Sequence, residues 1–404
     1  MGPLSHIKVL DLSRVLAGPF AAQILGDLGA DVIKIEKPEE GDETRRYGPP
    51  FLATEGGRGD AAYFLSANRN KRSVTIDFAR PEGAALIRRL ARRSHVVIEN
   101  FKTGALARYG LDYASLSAEN PALVYCSLTG FGQDGPYKDK SGYDYLIQGM
   151  AGLMSITGQA DGVPGGEPMR VGVAVSDLFT GLYSTIAIQA ALIHQARTGE
   201  GQWIDMALFD CQTAALANQA MNYLVSGKPP GRQGNSHPNI VPYQVFATLD
   251  GHMILAIPND GQFRRFCTAA GLADLANDPR FVDNPRRVEH RAELIDYLRP
   301  ALASRTTGQW ISLLEAANVP CGPINRLDQV FADPQSLARG HRIAMTHSAA
   351  GPISLVASPL RLAKSPPSYR RAPPLLGEHT DEVLHSELNL EEGQIRSLRE
   401  QGII

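Results

Sequence analysis

Hydrophobic and polar positions alternate in short blocks through the first half of the chain. Ile7-Lys8-Val9-Leu10-Asp11-Leu12 reads as a strand, Ser13 to Gly18 as a loop, and Pro19 to Leu28 as a helix with proline in its first turn. Gly29 ends that helix, and Val32-Ile33-Lys34-Ile35-Glu36 reads as a second strand. Ser73 to Phe78, Val96 to Ile98 and Leu123 to Leu128 continue the strand pattern, with a helix over Pro81 to Ser94. After Asp177, Leu182, Ile186, Ala190 and Ile193 recur at helical spacing, and Trp203 to Ala207 reads as one more strand. Strands alternating with helices predict an α/β fold: a mostly parallel sheet covered on both faces, with ligands at the carboxyl ends of its strands.

The pattern changes after Val225. Gly227-Lys228-Pro229-Pro230-Gly231 is a linker signal, Val245 to Leu255 reads as a hairpin turning at Asp250-Gly251, and Gly261 to Asn318 is helical. These features predict a large domain over residues 1–225 and a small α+β domain over 226–330. Residues 331–404, with Pro366-Pro367 and Pro373-Pro374, are expected to return to the large domain.

Composition narrows the function classes. With 43% hydrophobic and 20% charged residues, the 404-residue chain is of soluble globular type, which excludes intrinsic disorder. Its 40 basic against 42 acidic residues give a net charge of −2, so no nucleic-acid partner is expected. Cys126, Cys211, Cys267 and Cys321 form no C-x-x-C pair, which argues against a disulfide scaffold or zinc ribbon and for a reducing, cytoplasmic setting. The histidines show no metal-ligand spacing, and no metal is expected. Met1 to His6 has no leader-peptide features, and the longest apolar stretch, Val171 to Ile193, is interrupted by Asp177; no membrane partner is expected.

A strand, a glycine-containing turn, a helix and Glu36 ending the next strand suggest a dinucleotide site. Ser13-Arg14-Val15-Leu16-Ala17-Gly18-Pro19 lacks G-x-G-x-x-G, however, which makes a nicotinamide dehydrogenase a runner-up. Seven blocks in order point elsewhere. Val9 to Pro19, Leu28 to Glu36, Asn70-Lys71-Arg72-Ser73, Glu99-Asn100-Phe101, Thr129 to Pro136, Gly142-Tyr143-Asp144 and Ser176-Asp177 closely resemble the class III CoA-transferases, the CaiB/BaiF family. Gly322-Pro323-Ile324-Asn325 and Leu375 to Thr380 extend the resemblance over nearly the whole chain. It implies a Rossmann-like large domain built from both chain ends, a smaller inserted α+β domain, and two subunits interlocked as a homodimer.

The resemblance makes Asp177 the nucleophile on an acyl-CoA thioester. An aspartate with a pKa of about 3.9 is ionised at neutral pH and needs no general base. Its product is a mixed anhydride that CoA thiolate opens to an aspartyl-CoA thioester, so no tightly bound cofactor is implied and coenzyme A enters as part of the substrate. Taken alone, Asp177 before an apolar helix reads first as a helix N-cap; helix-terminal N–H groups also suit a carboxylate or oxyanion. The α-methylacyl-CoA racemases resemble the same pattern but carry Gly-His-Asp, with histidine as the second acid/base group. Gly142-Tyr143-Asp144 places a poorly matched tyrosine there and favours the transferase; a CoA-binding protein without catalysis is a more remote alternative.

The family's CoA contacts map to Val15, Ala17, Lys37, Lys71, Arg72, Asn100, Phe101, Arg108 and Tyr143, with Lys140 as a substitute for a lysine absent at Ser141. Lys37, Lys71, Arg72 and Arg108 are expected to concentrate positive charge for the CoA phosphates. The acid pocket is assigned to Arg14, Leu16, Arg46, Tyr47, Asp144, Arg170 and His237. Leu16 and Tyr47 replace a glutamine and a tryptophan of the oxalate-specific members, which argues against oxalate. The chain looks closer to succinyl-CoA-dependent members acting on hydroxymethylglutarate, glutarate, malate or itaconate, with Arg46 and Arg170 as carboxylate clamps.

Overall fold

The computed structural model describes residues 2–404, a mixed α/β chain that divides into two compact units. One contains the chain up to Leu153, Val171–Val225 and Gln335–Ile404; the other contains Met154–Arg170 and Ser226–Pro334. Residues 154–170, read from sequence as part of the large domain, thus cluster with the second unit.

The first unit is built on six parallel strands: β1 (Lys8–Asp11), β2 (Asp31–Glu36), β3 (Lys71–Thr75), β4 (Val96–Glu99), β5 (Val124–Thr129) and β6 (Gln202–Ala207). Their order is β3-β2-β1-β4-β5-β6. The chain moves outward from β1 to β3 and then restarts on the other side of β1 with β4. The loops leaving β1 and β4 therefore part at the carboxyl ends and open a crevice there.

Successive side chains feed opposite faces of the sheet. Leu10, Ile33, Ile35, Val74, Val97 and Tyr125 pack into one core; Val9, Val32, Val96, Ile98, Val124 and Cys126 pack into the other. The first core is closed by the helix Pro81–Ala91 and by Val383, Leu384, Leu388 and Ile403. Three further helices matter for the site: α1 (Ala17–Asp27), α2 (Asp144–Met150) and α3 (Val175–Thr198).

Two differences from the sequence reading have physical causes. Helix α1 begins at Ala17 rather than Pro19, because the first four helical N–H groups have no intrahelical partner and proline in the third position loses nothing. Strand β3 covers residues 71–75 rather than 73–78, so Ile76 to Phe78 leave the sheet at its carboxyl end. Glycine brings α1 and α3 together: a Cβ at Gly181 would lie 2.8 Å from the Ala17 carbonyl oxygen, and one at Gly18 would lie 2.4 Å from the Ser13 side chain. Neither position accepts a larger residue without moving backbone.

In the second unit, strands Tyr243–Ala247 and His252–Ala256 form the predicted hairpin, with Cys321–Pro323 added antiparallel. Its core collects Phe246, Met253, Phe263, Phe266, Leu298 and Trp310.

Candidate active site

The loop after β1 is fixed by two fully buried ammonium groups. Lys71 Nζ donates to Asp11 Oδ2, the Pro19 carbonyl and Asn68 Oδ1, each at 2.9 Å. Lys34 Nζ donates to the Ser13 carbonyl at 2.8 Å and to Asp42 Oδ2 at 2.9 Å. Burial opposes ionisation of Asp42, but Lys34 and the hydrogen bonds from Thr44 outweigh it and bring its pKa down to about 2. Burial, with Lys34 nearby, lowers Lys71 to about 8 despite Asp11. Within this frame Val15 has φ 70, a left-handed conformation that is strained for a β-branched residue, and its N–H faces both Asp42 carboxylate oxygens at 3.3 Å.

The loop spans the switch point through Arg14 and Asn100. Arg14 N–H donates to Asn100 Oδ1 at 2.8 Å, and Asn100 Nδ2 returns a bond to the Arg14 carbonyl at 2.6 Å. The Arg14 guanidinium lies over the Phe101 ring, 5.0 Å from its centroid, and pairs with Glu43. A cleft at the carboxyl ends of the strands is lined by Arg14, Lys37, Glu43, Arg46, Phe78 and Phe101. Phe78 meets Phe101 edge to face at 5.4 Å and Tyr109 at 5.5 Å. The sequence reading missed Phe78 and Ala79 in this wall, although their place just beyond a parallel strand was the available signal.

Of the four cations expected to concentrate positive charge, Lys37 and Arg108 are exposed and Lys71 and Arg72 are buried. Lys71 is consumed by its three buried acceptors, and Arg72, also buried, forks onto Asp31 and reaches Glu382 and Glu387. Adjacent on β3, they point to opposite faces of the sheet, and both are engaged by acceptors of the scaffold. Lys37 is exposed and pairs with Glu40, while exposed Arg46 donates to the Glu40 carbonyl. Arg108 lies over Tyr109 with 4.6 Å to the ring centroid, and Lys140 over Tyr137 with 3.7 Å. Leu16 and Ala17 are buried, and Tyr143 is exposed.

At the start of α3, Ala174 occupies the N-cap position and contributes no side-chain cap, which corrects the reading of Asp177 as the cap. Asp177 is the third residue of the helix. Asp144, from the first turn of α2, caps it instead: its Oδ1 accepts from Ser176 N–H at 2.7 Å and from Asp177 N–H at 3.4 Å. Its Oδ2 accepts from Gln148 Nε2 at 2.7 Å, and Gln148 Oε1 accepts from Val171 N–H at 2.8 Å. Ser176 Oγ donates to Gln212 Oε1 at 2.9 Å, closing a buried polar clamp on the helix end. Asp144, assigned from the sequence to the acid pocket, thus sits against the main chain of Asp177.

The Asp177 side chain keeps some surface, yet its carboxyl is densely surrounded by protein. Burial and then the neighbouring Asp144 charge push its pKa up to about 7. This corrects the expectation of an ordinary, fully ionised aspartate. Tyr63 lies within its electrostatic field: burial and the charges of Asp177 and Asp144 push that phenol up to about 12. Tyr47 packs edge to face against Tyr63 at 5.7 Å and lies in the fields of Glu43, Tyr143 and Arg14. No local motif marked Tyr63, which sits on a four-residue helix, Ala62–Leu65.

Arg170 and His237 belong to the second unit. His237 is tied into its own loop, with Nδ1 accepting from Asn239 N–H at 3.1 Å and its ring 5.2 Å from that of Tyr243. Among the described residues, no group of histidine, cysteine and carboxylate side chains has the arrangement of a metal site.

A carboxylate at a helix start, on the same unit as a strand-end cleft with an aromatic wall, is compatible with acyl transfer from a long thioester. Comparison with known proteins agrees. The family model for CoA-transferase family III matches residues 4–380. The Succinate--glutarate CoA-transferase of Agrobacterium fabrum (strain C58) is 54% identical over 383 residues, covering 95% of each chain. The human Succinyl-CoA:glutarate CoA-transferase is 42% identical over 402 residues, covering 100% of this chain and 90% of that one. A CaiB/BaiF family protein from Brucella suis, known as a crystal structure, is 51% identical with a TM-score of 0.84, over 96% of this chain and 99% of that one. These matches overturn the dehydrogenase and non-catalytic readings: the chain belongs to CoA-transferase family III and is an enzyme of that family.

Proposed function

We propose that this enzyme moves CoA from succinyl-CoA to a small dicarboxylic acid, with glutarate the first acceptor to test, through Asp177. The observation that carries the reading is Asp177 in the first turn of α3, its backbone N–H directed at Asp144, on the same unit as the strand-end cleft. The named relatives that act on succinyl-CoA and glutarate support the choice of acids.

One Asp177 oxygen attacks the thioester carbonyl of succinyl-CoA, CoA thiolate leaves, and a succinyl-aspartyl anhydride forms. The thiolate attacks the aspartyl carbonyl of that anhydride, succinate departs, and Asp177 carries CoA as a thioester. A glutarate carboxylate attacks this thioester and again expels thiolate, which then attacks the glutaryl carbonyl of the new anhydride. Glutaryl-CoA leaves and the Asp177 carboxylate is restored. One thioester replaces another, so the sequence consumes neither ATP nor metal. The α3 N-terminus, which carries Asp177, would favour the developing oxyanion.

The cleft wall of Phe78 and Phe101 would take apolar parts of CoA, and exposed Lys37, Arg46 and Arg108 would meet its phosphates after leaving their present partners. Val15 and Ala17 would act through backbone groups. Leu182, Ile186 and Ile193 leave an exposed apolar stripe on α3, which supports an interlocked homodimer. No helix among the described residues is long and apolar enough to cross a membrane, and the four cysteines are free thiols; a cytoplasmic location accords with both.

The test mixes succinyl-CoA with glutarate, itaconate, malate, hydroxymethylglutarate and oxalate, and identifies new thioesters by mass spectrometry. Glutaryl-CoA should dominate, and Asp177→Asn should lower transfer by about 10⁴-fold or more. Full activity in freshly purified Asn variant overturns the nucleophile; absence of any new thioester from wild type overturns the transferase reading.

A further inference from the structure

We propose that Arg14 recognises the distal carboxylate of the dicarboxylic acid, on both the thioester donor and the free acceptor, and that Glu43 holds its guanidinium as an internal stand-in until substrate displaces it. The inference rests on the transferase reading above and deepens it.

Arg14 is a prepared cation. Its main chain is clamped at both N–H and carbonyl by Asn100, and its guanidinium plane rests on Phe101. The neighbouring loop is braced by Lys34 and Asp42, so the side chain projects from a rigid base. The ion pair it makes is incomplete. Arg14 Nη1 bonds Glu43 Oε1, yet Arg14 Nε and Glu43 Oε2 are buried without a partner. A guanidinium fork meets a carboxylate best through two parallel bonds, and a buried donor or acceptor left unpaired is costly. An incoming carboxylate that takes the fork satisfies Nε, while Glu43, about one-third exposed, turns its charge to water. Exchange of one carboxylate for another keeps the local charge balanced and makes opening of the pair inexpensive.

The place is appropriate. Arg14 and Glu43 line the cleft, and the charges of both act on Tyr47, which packs edge to face on Tyr63, a residue within the field of Asp177. Donor and acceptor acids occupy the same pocket in turn, so a cation on a long side chain can serve four- and five-carbon acids alike. The other oxyanion within chemical reach of such a group is a CoA phosphate, and the experiment separates the two.

Wild-type, Arg14→Met, Arg14→Lys and Glu43→Gln proteins are assayed for kcat/KM with succinyl-CoA against butyryl-CoA, glutarate against valerate, and succinyl-CoA against its 3′-dephospho form. Arg14→Met should reduce the succinyl/butyryl and glutarate/valerate preferences by about 10²-fold, with partial recovery in Arg14→Lys. Glu43→Gln should lower KM for glutarate several-fold. If Arg14→Met transfers CoA and keeps both wild-type preferences, the inference fails and the transferase reading stands. If its loss is equal for all acids and vanishes with the dephospho donor, Arg14 serves phosphate and the inference is likewise overturned. Wild type that transfers to no acid overturns the transferase reading itself.

Discussion

At the end of β1, Asp11 and Asp42 each meet a buried lysine, whereas at the start of α3 Asp177 meets another carboxylate. All three carboxyls are removed from most of their water. Cations and hydrogen bonds bring Asp42 to about 2; burial and Asp144 bring Asp177 to about 7. Burial alone therefore does not set a carboxylate's state; the sign of its neighbour does. The chain commits its buried cations to holding the crevice open and withholds them from the reacting group. An aspartate paired with lysine would be firmly ionised but stabilised in the ground state, and a poorer nucleophile for that reason.

The largest test of this contrast removes a scaffold cation. Lys71→Met leaves Asp11 buried without its partner and should cost about 3–5 kcal/mol in urea unfolding. A loss near zero would mean that Asp11 is not held by charge. Asp177→Asn should do the opposite above neutrality. A carboxyl whose pKa is raised on folding costs stability once pH exceeds its unfolded value, and the full cost is present above about 7. The variant should gain on the order of 2 kcal/mol at pH 8 and almost nothing below pH 4; equal gains at both pH values would refute the shift.

Asp42 carries the reverse sign. Its contribution is complete above the unfolded pKa and lost as pH falls through about 2, so wild type should weaken progressively below pH 4. Asp144→Asn keeps a capping oxygen and removes the negative neighbour. The rise of kcat/KM with pH, which follows Asp177 ionisation, should move to lower pH, so activity at pH 6 relative to pH 8 increases several-fold. An unmoved profile would show that burial alone sets Asp177. The smallest effect belongs to Lys37→Ala: its pair with Glu40 is open to solvent, and the unfolding midpoint should not change measurably.

Much of the sheet was legible because its strands are short apolar runs separated by helices, and the family blocks located Asp177. What escaped the sequence depended on partners far along the chain. Lys71 and Arg72 look like free cations in Asn-Lys-Arg-Ser, but their acceptors include Asp11, 60 residues away, and Glu382, 310 residues away. Whether a lysine beside a strand reaches solvent depends on which way its side chain alternates, and the start of β3 lay two residues earlier than its apolar pattern indicated. The raised pKa of Asp177 was hidden for the same reason, since it comes from burial and then from a carboxylate 33 residues upstream. Tyr63, on a four-residue helix 114 residues before Asp177 in the chain, enters that carboxylate's field only through the fold.

The glycine contact between α1 and α3 has a practical consequence for redesign. With Gly181 against the Ala17 carbonyl, the loop before α1 and the helix that carries Asp177 are joined backbone to backbone. Bond-making geometry is thereby insulated from side-chain changes at Arg14, Glu43 and Tyr47. A library confined to those three positions can retune which acid is accepted while inheriting the catalytic spacing intact, whereas any change at Gly181 alters every substrate at once.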